Sequence, residues 1–202
     1  MTISYPVTIP SSPSIRDVTF RMLSRTALNS SPFTGQQQVS VWDGQWWEVD
    51  INLPPMERAD AEEWIAFLAS LNGHEGYFLF GDPDGTSPRG IGTGTPKVNG
   101  ASQTGQTLIT DGWTASQTGI MKAGDYIQID NNLYKVLVDA DSDGDGDATL
   151  EIFPKIRSAH DDDAVITVSS AKGYFRLASK VNSWSSNSLR HYSITLSLVE
   201  KI

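Results

Sequence analysis

The stretch VSVWDGQWWEVDINLPPMERADAEEWIAFLASLNGHEGYFLFGDPDG, Val39–Gly85, decides the fold class. Val39 to Trp42, Asp43-Gly44 and Gln45 to Leu53 read as a strand hairpin, because Asp-Gly supplies the positive φ angles of a tight two-residue turn. In the second arm Trp47, Val49, Ile51 and Leu53 share one face and Glu48, Asp50 and Asn52 the other, the period of a half-buried strand. Pro54-Pro55 ends it, since proline cannot donate to a ladder. A helix over about Arg58–Asn72 follows, with Ala61, Trp64, Ile65, Leu68 and Leu71 on one apolar stripe. Asp60 with Glu63 has the spacing of a capping box. Gly73 fits the left-handed position that closes a helix. Burying Trp64 and Leu68 is expected to contribute about 2–3 kcal/mol each. Tyr77 to Phe80 is a short apolar strand that ends at Gly81-Asp82-Pro83-Asp84-Gly85. Trp47, Trp64, Ile65, Leu68 and Phe78 form the expected packing core. Nothing in the stretch is arranged for chemistry.

Outward from it, the first 15 residues, with Pro6, Pro10 and Pro13, read as an extended arm. Val18 to Leu23 alternates as a strand, and Asn29 to Thr34 is a loop by composition. Beyond Gly85 the texture changes to Gly, Thr, Ser and Gln. Ala101-Ser-Gln-Thr-Gly105 recurs as Ala115-Ser-Gln-Thr-Gly119, which marks two similar turns around a strand at Thr107–Thr110. Further strands read at Gly124–Ile129, Leu133–Val138, Ala148–Phe153 and Val165–Val168. Short strands at intervals of roughly 8–12 residues suggest a small barrel or sandwich. Tyr174–Leu177 and an alternating strand close the chain, with Tyr192, Ile194, Leu196 and Leu198 on one face. The expected fold is mainly β: a β-sandwich with one packed helix, made from 1–92 and 171–202, interrupted by an inserted barrel-like module at 93–170.

The 202 residues suffice for a core that buries ~70% of the unfolded surface without metal or disulfide staples. A net charge of −9 argues against duplex nucleic acid and against an anionic membrane surface as partners. The absence of cysteine excludes disulfides, cysteine-ligated metal and a thiol nucleophile. Met1–Pro13 lacks the features of a signal peptide, and no stretch approaches the ~18 apolar residues of a membrane span, so synthesis in a cytoplasm is expected.

Asp139-Ala-Asp141-Ser-Asp143-Gly144 matches the first half of a calcium loop, which needs oxygens at positions 1, 3 and 5 and a bidentate Glu at position 12. Leu150 holds that last position and Glu151 falls one late. Asp139, Asp141 and Asp143 are therefore the metal candidates, against the alternative of a solvated acidic loop. His160 with Asp161-Asp162-Asp163 invites the same question, yet consecutive residues point in alternate directions. His74, His160 and His191 sit in no metal or triad spacing, and no Gly-x-Ser-x-Gly elbow occurs. Gly90, Gly92 and Gly94 have the spacing of a phosphate loop without its Lys-Ser/Thr ending. No catalytic residue and no cofactor is assigned, and an enzyme is not expected. Trp42, Trp46, Trp113 and Trp184 leave a carbohydrate-binding module contacting a host surface as the alternative function, set against core or subunit interface.

Trp46-Trp47, Leu53-Pro-Pro-Met56 leading into Ala59-Asp-Ala-Glu-Glu-Trp64, Phe67-Leu-Ala-Ser-Leu-Asn-Gly73, Gly76-Tyr-Phe78 and Gly81-Asp-Pro83 together resemble the tail proteins of long-tailed bacteriophages. Lys122-Ala-Gly-Asp-Tyr126, Tyr134-Lys-Val-Leu137, Gly173-Tyr-Phe-Arg-Leu177, Tyr192-Ser-Ile194 and Val199-Glu200 extend the likeness over most of the chain. Within that group the chain is most similar to the distal tail proteins. The resemblance implies a tail-tube-like β-sandwich with one packed helix, joined into a homohexameric ring between the tail tube protein and the baseplate hub. It implies residence in the virion at the tail tip, genomic DNA passing through the lumen without specific binding, and no catalytic residues. An acidic lumen would let DNA slide without sticking.

Overall fold

The computed structural model of the chain describes residues 3–202. The fold is mainly β, and the strands divide between two sheets. The main sheet takes its strands from both ends of the chain: β1 (Asp17–Ser30), β2 (Gln37–Asn52), β3 (Phe78–Phe80), β10 (Gly173–Leu177) and β12 (Tyr192–Glu200), in the order β1-β2-β12-β10-β3. Short β11 (Trp184–Ser186) pairs with the start of β12. The second sheet lies wholly within 94–167. It comprises β4 (Gly94–Val98), β5 (Gly105–Trp113), β6 (Tyr126–Ile129), β7 (Asn132–Val136), β8 (Ala148–Ile156) and β9 (Ile166–Thr167), in the order β4-β5-β8-β7-β6-β9. Val98 N donates to Ala164 O (3.0 Å) and Asp163 N to Val98 O (3.0 Å), so its two edges nearly close into a barrel.

The hairpin expected at Asp43-Gly44 is not there. β2 runs straight through both residues and pairs with β1 from Asp17↔Asn52 to Ser30↔Gln37. Ser24 faces Gln45 and Thr26 faces Val41, so Trp42-Asp43-Gly44 bulges opposite Arg25 alone. Neither Asp43 nor Gly44 has a positive φ. What Gly44 supplies is room: a Cβ there would lie 2.9 Å from Arg25 Cγ. The true turn is Ser31–Gln36, where Ser31 N donates to Gln36 O (2.9 Å) and Gly35 is left-handed. β1 therefore extends seven residues beyond its expected end at Leu23, through a stretch whose Ser, Arg, Thr and Asn disguise the strand.

The helix α1 (Arg58–Ser70) ends slightly earlier than expected. Its capping box does not form. Glu57 is the N-cap without a side-chain hydrogen bond, and Asp60 accepts from Ser12 Oγ (3.1 Å) instead. The N-terminal arm competes for that carboxylate and also receives the indole N–H of Trp64 on Ser12 O (2.9 Å). Asn72 and Gly73 both turn left-handed after the C-cap Leu71, so Asn72 takes the closing position expected for Gly73.

α1 packs on the inner face of the main sheet. Trp47, Trp64, Leu68 and Phe78 are buried there with Phe67, Phe80 and Phe175, while Ile65 lies only partly buried at the margin. Tyr126, Leu133 and Phe153 of the barrel belong to the same cluster. Thus the layer facing the main sheet consists of α1 and the barrel wall. A second cluster fills the barrel around Leu108, Trp113, Ile127 and Leu150.

Trp47 is the hinge pin of the junction. Its indole N–H donates to Leu133 O (3.0 Å) and its ring meets Phe153 edge-on at 5.1 Å. Beside it the Arg157 guanidinium holds Glu200 through two bonds (Nη1–Oε2 2.8 Å, Nη2–Oε1 2.5 Å) and donates to Gln45 O. Glu200 also accepts from Trp47 N (3.0 Å). The side chains of this pair are 12% and 1% exposed. Glu200 continues the inward phase of Ile194, Leu196 and Leu198, so a charge occupies a core position.

Candidate assembly surface

Most of the residues that the sequence offers for chemistry are engaged locally. Asp139 accepts from Ala123 N (2.8 Å) and Lys122 Nζ (2.9 Å), and these bonds hold its carboxyl below the usual range. Asp141 accepts from Gly119 N (2.6 Å). Asp143 accepts from Asp147 N (2.9 Å) and Asp145 N (3.0 Å), which lowers its pKa too. The three metal candidates therefore turn to three different partners. Among the described residues no group of three or more His, Asp and Glu is arranged to hold a metal ion.

His160 does not join Asp161–Asp163 either. Its Nδ1 lies 2.7 Å from Asp130 Oδ2 and its Nε2 lies 2.9 Å from Tyr134 Oη. Asp162 instead accepts from Gly100 N and Asp163 from Lys97. The carboxylate–imidazole–phenol row resembles a proton relay in outline. Tyr134 is sealed in the barrel core, where burial pushes its phenol well above the ordinary range, and the row runs from there through buried His160 to the exposed Asp130 carboxylate. Gly90, Gly92 and Gly94 are packing glycines. A Cβ at Gly90 would lie 2.4 Å from Ile120 O and one at Gly94 2.5 Å from Gly112 O. The buried Asp125 carboxylate binds the N–H groups of Arg89, Gly90 and Lys122, where a phosphate would have to sit. His74 Nδ1 donates to Leu177 O (2.9 Å), behind the helix end.

The repeated pentapeptides do form two alike turns. Ser102 and Ser116 are left-handed in both, as are Gly105 and Gly119. Of the four unassigned tryptophans, Trp113 is core, with Nε1 on Thr110 Oγ1 (2.8 Å), and Trp46 lies half-buried on the outer face under Arg25. Trp42 and Trp184 are exposed.

What remains unengaged is surface, and it concentrates on the far half of the β1–β2 ribbon. Leu28, Val39 and Val41 share one side of it and are 60%, 59% and 63% exposed; Phe33 at the tip is 95% exposed. That side continues the phase of Val18, Phe20 and Met22, so it is the core face of the main sheet carried past the end of the core. From Thr26 to Trp42 no residue is charged, in a chain whose charged fraction is 19%. β1 is also the edge of the main sheet, paired on one side only. A long uncharged edge of this kind, beside the apolar Leu28, Val39 and Val41, is a template for another chain. The sequence signal was available in the uncharged run, but the expected hairpin at Asp43-Gly44 hid it.

Among the described residues no helix is long and apolar enough to cross a membrane. The chain matches no protein-family model and no curated protein.

Proposed function

We propose that this chain is a ring-forming structural component of a bacteriophage tail, placed where the tail tube meets the baseplate. The observation that carries the assembly half of this reading is the far half of the β1–β2 ribbon. A two-stranded ribbon is at best marginally stable alone in water, and soluble monomers rarely leave contiguous apolar faces bare. Copies bearing a net charge of −9 repel one another, so they meet best where the surface has no charge. An apolar, charge-depleted patch has the composition of an interface core. The resemblance to distal tail proteins, and the mainly β fold with its single packed helix and barrel-like insert, supply the phage half. In such a ring the neighbours along the axis are the tube protein and the hub, and DNA passes an acidic lumen without specific binding.

Electron microscopy of the purified chain in negative stain tests the reading. Closed rings with a central channel are expected. Particles that remain single copies at every concentration, in the presence or absence of tail tubes, would overturn it.

A further inference from the structure

The outer face of the main sheet, turned away from α1 and the barrel, gathers two tyrosines and two cations. Tyr77 and Tyr174 meet edge-on with centroids 4.8 Å apart, and Lys201 Nζ stands 4.2 Å over the Tyr77 ring and 5.3 Å from that of Tyr174. Arg176 projects from the same face of β10, opposite Val199. Among the described residues neither Arg176 nor Lys201 has a carboxylate within ion-pair distance. Arg176 Nε is shielded from solvent and has no acceptor, the one such side-chain atom among the described residues. The acids of that face are already engaged: Asp50 with Arg21 and Ser197, and Glu48 with the Trp46 indole. In a chain with 24 acids and 15 Lys and Arg, two neighbouring cations without acids are a local excess.

The opposite excess lies at the other pole. β8 touches the main sheet through Phe153 and Lys155 near its C-terminal end, and the Asp141–Asp147 loop precedes its N-terminal end. Asp111, Asp141, Asp143, Asp145 and Asp147 crowd there with no cation in ion-pair distance among the described residues. Partial desolvation, then Asp143, Asp111 and Asp145, hold the Asp147 carboxyl above its usual range. Within one chain no ion pair joins the two sets among the described residues.

We propose that the Asp143–Asp147 loop of one copy docks on the Arg176–Lys201–tyrosine face of the next. The proposal rests on the ring reading above and names the two surfaces that meet. A contact between unlike surfaces is head-to-tail, and repeated head-to-tail contacts close into a ring when their rotation allows. Complementary potentials of this kind fix register more than they add raw affinity. The apolar ribbon would then hold the copies together, and the charge pair would orient them.

Sedimentation velocity of the full chain tests this with four proteins: wild type, Arg176→Glu with Lys201→Glu, Asp145→Lys with Asp147→Lys, and all four substitutions combined. Each reversal alone is expected to weaken association about tenfold or more at low salt. The combined protein is expected to regain it, because the charges are complementary again. Association of the wild type should loosen as salt rises. Lys201→Glu alone, a change at a side chain that rests on the two tyrosine rings, repeats the first arm in milder form. If the reversals assemble like wild type, or the combined protein fails to recover while its melting curve is unchanged, the docking proposal is wrong and the ring reading stands. If wild type itself never associates, both fall.

Discussion

Along the β1–β2 ribbon, Phe20 lies among Trp47, Phe80 and Tyr126 at centroid distances of about 6 Å, while Leu28, on the same face of the same strand, stands in solvent. Val49 and Ile51 opposite the first half are fully buried; Val39 and Val41 opposite the second are bare. The ladder pairing and the phase of the faces are shared, and Leu28, Val39 and Val41 keep apolar side chains on that face between Ser24, Thr26 and Ser30. The cover differs: α1 and the barrel reach over the first half, ending after Phe20 on β1, where Met22 is already exposed, and at Gln45 on β2. Strand pattern therefore specifies which face is apolar, and tertiary packing specifies whether that face is satisfied within the chain. The unsatisfied half is where another copy of the chain is expected.

The comparison can be broken most forcefully at Trp47. Trp47→Ala empties the centre of the junction and leaves Leu133 O without its indole donor. A loss of about 3–5 kcal/mol is expected in urea unfolding followed by fluorescence. A loss below about 1 kcal/mol would mean that the first half does not depend on its cover. Glu200→Ala comes next. It leaves the Arg157 guanidinium shielded without its anion, and about 3 kcal/mol should go from the same transition.

The far half should behave oppositely. Leu28→Ser, Val39→Ser and Val41→Ser should each change the stability of the isolated chain by no more than about 0.5 kcal/mol, because nothing within the chain covers them. A much larger loss would show that the ribbon is held by contacts of its own chain.

The smallest effect expected is in the acidic loop. The folded pKa values of Asp139 and Asp143 are depressed, chiefly by the N–H groups of Ala123 and Asp147 respectively. Their stabilisation is present above the unfolded carboxylate range, about pH 4, and is lost as pH falls through the depressed folded values. Asp147 is raised, first by desolvation and then by Asp143. It works against folding at neutral pH, and acid relieves it. Asp147→Asn should thus raise the melting temperature slightly at pH 7 and not at pH 3. An equal rise at both would remove the carboxylate repulsion from the account.

Much of the first half was legible because burial writes itself as period. Trp47-Val49-Ile51, the α1 stripe and Ile194-Leu196-Leu198 all follow their faces. The second half was not, for a physical reason: Leu23–Ser30 carries small polar residues on a ribbon with no core beneath it, so no alternation is imposed. Asp43-Gly44 carried a turn signal that a long ladder overrode, and the same glycine served the bulge instead. Phe67 escaped the expected stripe because the helix is covered on a wider arc than one row. Arg157 was invisible because a loop residue has no period, and His160 was singled out but set beside its sequence neighbours Asp161–Asp163, when its partners are the distant Asp130 and Tyr134. Glu200 carried a signal that could have been read, an acid in phase with three buried aliphatics. As for the assembly surface, its exposed side chains were in plain view, and only their continuity with the core face required the structure.

Sedimentation equilibrium of the wild-type chain beside the Leu28→Ser, Val39→Ser, Val41→Ser triple variant tests the central claim most directly. The account predicts a defined ring-sized oligomer for wild type and a folded monomer for the variant, with superimposable circular dichroism spectra. Two proteins of the same mass in solution, both assembled or both single, would contradict it.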